Sequence, residues 1–148
     1  MAREYQFTEF ASRQLPGFRN RIVTLADLPA LQDRYRGSDC YASCFQFGPD
    51  LQAHVASNGG SVSGYQGPCA ASFLPFDFDA ENLDHAMVAA QDLCSFMLDY
   101  WGAPEEAVTA YFSGNKGFHV TVAANLFGDV EPSVELPGVF GALRRAAV

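Results

Sequence analysis

Lysine is almost missing from this chain. Lys116 is the only one in 148 residues, and every other fixed positive charge is an arginine. Seventeen acids against nine lysines and arginines leave a formal charge of -8, which argues against a generally basic nucleic-acid binder. Long apolar runs are also missing. None approaches the ~20 residues that cross a bilayer, and the opening MAREYQFTEF lacks the apolar segment of a secretory signal. The expectation is therefore a cytoplasmic protein with no membrane partner. Cysteine is scarce as well. Cys40, Cys44, Cys69 and Cys94 are too few and too scattered for a disulfide-dense scaffold. Cys40-x3-Cys44, with His54 and Cys69 beyond, admits a zinc site on paper. The spacing is loose, and small buried hydrophobes are the expected role of these thiols.

What is present describes one globular domain. The apolar fraction is 49% and the charged fraction 18%, enough to bury a core at this length. The charge is uneven along the chain. Residues 1–40 hold Arg3, Arg13, Arg19, Arg21, Arg34 and Arg36 against five acids. The rest holds Lys116, Arg144 and Arg145 against twelve. A nucleic-acid contact, if there is one, is expected among the first forty residues.

No repeat or linker interrupts the chain. Thr24 to Tyr35 predicts a short helix near Pro29. Cys40 to Phe47 alternates as a strand ending at Gly48-Pro49-Asp50. Ser57 to Gly67 is a Gly/Ser-rich loop, and Cys69 to Phe78 reads as a largely buried strand in which Pro75 points to an edge or bulge. From Asn82 to Trp101 the apolar residues fall at helical spacing: Leu83, Met87, Ala90, Leu93, Cys94, Met97, Tyr100 and Trp101. This stripe is read as core, with Asn82 as N-cap and Gly102 and Pro104 as the stop. Val108 to Phe112 and Phe118 to Ala123 flank a glycine-containing turn and predict a hairpin. A last helix begins at Pro137 or Gly138.

Two motifs carry chemistry. Phe76-Asp77-Phe78-Asp79 ends an apolar strand, and on a strand residues i and i+2 share a face. Two carboxylates side by side repel unless a cation lies between them, and oxygen-only ligands suit Mg²⁺ or Mn²⁺. The alternative is a pair of strand-end acids. A calcium loop starting at Asp77 needs Gly at its sixth position and Glu at its twelfth, where this chain has Asn82 and Val88. A haloacid-dehalogenase-type phosphatase would use Asp77 as nucleophile, but Glu81 stands where that family has Thr or Val. The second motif is SGNKGFH, from Ser113 to His119. Gly114 and Gly117 permit positive φ and leave N–H groups free to meet anionic oxygens. Lys116 adds a compact charge suited to phosphate, and Ser113 and His119 can donate hydrogen bonds. The alternative is a plain hairpin with a solvated lysine.

Taken together, LPFDFD and SGNKGFHV resemble motifs I and II of the archaeo-eukaryotic primase superfamily, the primase small subunits and primase-polymerases. The resemblance covers residues 70–124. It implies an α+β primase catalytic core across residues 1–148. About 1–68 would form an N-terminal α/β portion, and 69–148 an incomplete RRM-like module. It implies DNA-directed nucleotidyl transfer to a 3′-hydroxyl, with pyrophosphate leaving. Asp77 and Asp79 would be catalytic and would bind Mg²⁺ or Mn²⁺. Ser113, Gly114, Lys116, Gly117 and His119 would bind the nucleotide. Nucleoside triphosphates, a single-stranded DNA template and a helicase or other replication protein would be its partners. The family's third acid finds no match after His119: Asp129, Glu131 and Glu135 fall in a Gly/Pro-containing stretch, so a chain truncated before that motif is expected. The alternatives are a nucleotide- or nucleic-acid-binding fragment without catalysis, and the phosphatase.

Overall fold

The structure, a computed structural model, describes residues 4–114 and 116–146. Arg3 and Asn115 therefore lie outside the described residues. The fold is α+β, with two antiparallel sheets in two compact units.

The first unit takes residues up to Ala71 together with Glu131–Leu136. Its organising strand is β1 (Phe7–Ser12), which pairs antiparallel with β2 (Arg21–Thr24), β3 (Cys40–Ala42) and β4 (Gln46–Phe47). β4 then pairs with β5 (Cys69–Ala70). The sequence reading assigned no strand to β1, and the reason is physical. Thr8, Phe10 and Ser12 on one face are buried, and so are Phe7 and Ala11 on the other. A strand buried on both faces shows no two-residue alternation. The expected strand from Cys40 to Phe47 is split. Thr8 Oγ1 reaches the carbonyl oxygens of Ser43 and Phe45, each at 3.2 Å, and Phe45 N–H donates to Ser43 Oγ at 3.0 Å. These bonds turn the chain where the ladder would have continued.

Two helices complete this unit. α1 (Leu28–Arg34) follows a 3₁₀ turn at Leu25–Asp27, with Pro29 in its first turn, where a missing N–H costs nothing. It sends Leu31 into a core with Phe10 and Val23. α2 (Pro49–Ser57) begins at the Gly48-Pro49-Asp50 that the sequence suggested as a strand end. Proline there is a helix start. Of the cysteines, Cys69 is buried and its thiol donates to the Ser133 carbonyl at 3.6 Å. Burial, with the neighbouring Cys44, pushes that thiol up to about 11. Among the described residues no three His, Cys, Asp or Glu side chains gather as a metal set.

The second unit takes Ser72–Val130 and the helix from Pro137 onward. β6 (Phe73–Asp79), β7 (Val108–Phe112) and β8 (Gly117–Ala123) form an antiparallel sheet in the order β6-β8-β7. The expected strand from Cys69 to Phe78 is thus divided at Ala71–Ser72 between the two sheets. The Ser72 carbonyl there accepts from Ala124 N–H at 2.9 Å. Pro75 does sit on an edge strand, since β6 pairs through β8 among the described residues.

α3 (Leu83–Ser95) packs on all three strands. Asn82 caps it, its side chain accepting from Asp84 N–H at 2.8 Å. The buried face runs through Ala86, Ala90, Leu93 and Met97. Leu83, Met87, Tyr100 and Trp101, expected in the core, are exposed. Two causes account for this. Ala86 and Ala90 bring the backbone close to the sheet, so the face turns towards them. A π-helical turn at Phe96–Tyr100 then inserts one extra residue, with Trp101 N–H bonded to the Phe96 carbonyl at 2.9 Å, and rotates the following side chains outward. Gly102, at φ +73, ends the helix. α4 spans Leu136–Ala146, one residue earlier than the sequence suggested. No helix among the described residues is long and apolar enough to cross a membrane.

Candidate functional site

Both motifs lie in the second unit, and the sheet register brings them together. Leu74 and Phe76 of β6 are buried, and so are Val120 and Val122 of β8. That burial commits the alternate residues to the opposite face, because a slip of one residue would expose the whole apolar set. On this second face Asp77 pairs with His119, and His119 in turn with Tyr111 of β7. Asp79 pairs with Gly117. The two carboxylates are separated by about 7 Å along the strand, from the ~3.4 Å rise per residue.

Each carboxylate has a basic neighbour. His119 Nε2 lies 3.2 Å from Asp77 Oδ1, and Lys116 Nζ lies 3.7 Å from Asp79 Oδ2. All four side chains are at least a third exposed. These contacts are open to water and each worth at most about 1 kcal/mol. The turn between the strands is closed by Ser113 N–H donating to the Gly117 carbonyl at 2.9 Å, with Gly114 at φ +94. Only a residue without a side chain takes that conformation readily. Gly117 is needed for a different reason: a Cβ there would overlap Asp79 Oδ1 and the Phe78 carbonyl oxygen. Its absence is what lets the Asp79 carboxylate lie over the β8 backbone.

Asp77, Asp79, Lys116, Gly117 and His119 therefore meet on one face, and Ser113 and Gly114 form the adjoining turn. Sequence reasoning missed Tyr111. Its ring stands edge-on to His119 at 5.2 Å between centroids and interplanar 82°, so it holds the imidazole from the side away from Asp77. The signal was available: once the hairpin pairs Phe112 with Phe118, Tyr111 must face His119. Asp129, Glu131 and Glu135 belong to no strand. Two exposed carboxylates on one face are a hard-oxygen donor set that suits Mg²⁺ or Mn²⁺. With Asp77 and Asp79 alone, the remaining ligands would be water and substrate oxygens.

The arginines of the first unit are mostly engaged. Arg13 pairs with Asp39 at 2.9 Å, Arg19 with Glu9 at 2.9 Å, and Arg36 with Asp33. Arg34 lies over the Tyr35 ring at 5.6 Å. Three arginines of the expected basic surface therefore meet a carboxylate, while Arg34 keeps its charge over a ring. Compared with protein-family models, curated proteins and solved structures, the chain matches none.

Proposed function

We propose that this chain carries the metal and nucleotide site of a primase-type nucleotidyltransferase, which adds nucleotides to a 3′-hydroxyl on a single-stranded DNA template. The observation that carries the reading is the register: Asp77 opposite His119 and Asp79 opposite Gly117, with Lys116 3.7 Å from Asp79. An acidic strand end and a phosphate-binding turn, separated in sequence by a helix and a strand, share one open face. The element order β6-α3-β7-β8-α4, with the third strand central, also supports the first five elements of an RRM-like split βαβ module.

In this reading Asp77 and Asp79 hold Mg²⁺ or Mn²⁺, which supplies charge neutralisation for the phosphates when bound. Lys116 and the N–H groups around Gly114 and Gly117 bind the β- and γ-phosphates. His119 donates from Nε2 to a phosphate oxygen once Asp77 turns away from it, and Tyr111 keeps the ring in place. The 3′-hydroxyl attacks the α-phosphorus and loses its proton to water, the bond from that phosphorus to the α–β bridging oxygen breaks, and pyrophosphate leaves. A second reading, a nucleotide-binding module without turnover, draws on the count of two carboxylates on this face. A phosphatase acting through Asp77 would give Lys116, Gly117 and His119 no part.

Titration calorimetry with a nucleoside triphosphate and Mn²⁺ tests the proposal, on the chain and on Asp77→Ala/Asp79→Ala. Metal-dependent binding that the double variant loses is expected, and primer extension separates turnover from binding alone. Absence of any triphosphate binding by the unaltered chain would sink both nucleotide readings.

A further inference from the structure

The turn from Arg13 to Asn20, in the first unit, breaks a local rule at Phe18. Phe18 has φ +62 and Asn20 φ +71, the left-handed region that a bulky side chain such as phenylalanine avoids. Phe18 is nevertheless 39% exposed. The turn is held there by its surroundings. Ser12 N–H donates to the Phe18 carbonyl at 3.3 Å, Phe18 N–H to the Leu15 carbonyl at 3.0 Å, and Val62 N–H to Asn20 Oδ1 at 3.1 Å.

The consequence is a built surface. Phe18 meets Tyr41 edge-on at 5.8 Å between centroids, and Tyr41 is 48% exposed. Between Phe18 and Asn20, Arg19 is clamped by Glu9 in a fork: Nε to Oε1 at 3.2 Å and Nη2 to Oε2 at 2.9 Å. Asn20 N–H adds a third bond to Oε1 at 2.9 Å. A bidentate carboxylate fixes the plane of a guanidinium and neutralises it, leaving its flat face as a stacking surface. Glu9, Ala11, Phe18, Arg19, Tyr41 and Ser43 line a cavity of about 400 Å³ on this side. That is within the ~300–1,000 Å³ of small-molecule sites.

We infer that Phe18, Tyr41 and the Glu9-clamped Arg19 form a stacking site for an unstacked base of single-stranded nucleic acid. The Phe18 and Tyr41 rings stand 75° apart, so one of them, with the neutralised guanidinium plane, offers the flat surface on which a base stacks. The choice of a strand over a free nucleotide rests on the proposed template-dependent function. Because Arg13 and Arg19 are already paired, the site reads bases and grips few phosphates. Its affinity therefore depends weakly on salt.

The test is fluorescence anisotropy with a labelled single-stranded oligonucleotide of about a dozen nucleotides, within known site sizes. No metal or triphosphate is added, so its outcome does not depend on Asp77 and Asp79. Binding is expected to fall roughly five-fold or more in Tyr41→Ala and in Phe18→Gly. Phe18→Gly trades the ring's packing on Tyr41 for relief of the positive φ, and its melting temperature, measured alongside, separates lost binding from lost fold. The slope of log K against log salt should be shallow, near the roughly -0.7 of a single phosphate contact. Equal binding by both variants and the unaltered chain would overturn the inference. So would absent strand binding, duplex bound as tightly as single strand, or a mononucleotide bound where the strand is not. Loss of triphosphate binding in Asp77→Ala/Asp79→Ala with strand binding intact would leave both proposals standing.

Discussion

The two sheets handle charge in opposite ways. Around β1, carboxylates and arginines close on each other: Glu9 takes Arg19 in a fork plus a backbone N–H, and its side chain is only 14% exposed. Around β8, Asp77 and Asp79 stay exposed, with single contacts of 3.2 and 3.7 Å to His119 and Lys116. Pairs of the first kind hold a turn in shape. Pairs of the second kind are loose enough to be exchanged for a ligand's charges. The difference separates charge used for folding from charge kept available.

The largest effects should be alike in both units, because both cores are apolar. Phe10→Ala and Leu74→Ala each remove a nearly inaccessible side chain, at about 3–5 and 2–5 kcal/mol, measured by denaturant unfolding. Similar costs would confine the contrast to charge. Next comes Gly117→Ala, where the new methyl must displace the Asp79 carboxylate or the strand. A loss of about 1–3 kcal/mol is expected, together with weaker triphosphate binding.

Glu9→Gln is expected to cost about 1–2 kcal/mol near neutral pH. Burial alone would raise the Glu9 carboxyl, but the bonds from Arg19 and Asn20 and the Arg19 charge outweigh it and hold it below its ordinary 4.5. A depressed folded value means that this stabilisation is complete above the unfolded value and is lost as pH falls through the folded one. The gap between the unaltered chain and the variant should therefore close as pH drops below about 4.5. Asn82→Ala, which removes a cap, should cost about 1 kcal/mol by thermal unfolding. Smallest is Asp77→Asn/Asp79→Asn, expected within about 0.5 kcal/mol of the unaltered chain. A cost for this pair that equals the cost for Glu9→Gln would break the comparison.

The legible parts of the sequence were those with a local signal. Asn82 as cap, the hairpin around SGNKGFH and Pro75 on an edge each follow from a few adjacent residues. The convergence of Asp77 with His119 was legible through the resemblance of the two motifs, since no adjacent residue says which strand of the hairpin pairs with β6. What stayed hidden depends on partners distant in sequence. β1 gives no alternation because other elements bury both of its faces. Thr8 interrupts the strand from Cys40 to Phe47 from more than thirty residues away. The π-turn at Phe96–Tyr100 rotates an apparently regular stripe, and nothing in its apolar spacing announces the extra residue.

The rims of the three-stranded sheet differ in one more respect. β6 carries Pro75, Asp77 and Asp79 along its outer edge, while β7, VTAYF, carries neither a proline nor a charge. Copies of the chain approaching through β6 would meet like charges and a missing N–H donor, which guards against edge-to-edge aggregation. Approach through β7 meets no such guard. The acidic pair proposed for chemistry thus also helps guard one rim of the sheet, and a variant that neutralises both acids leaves only Pro75 to do so.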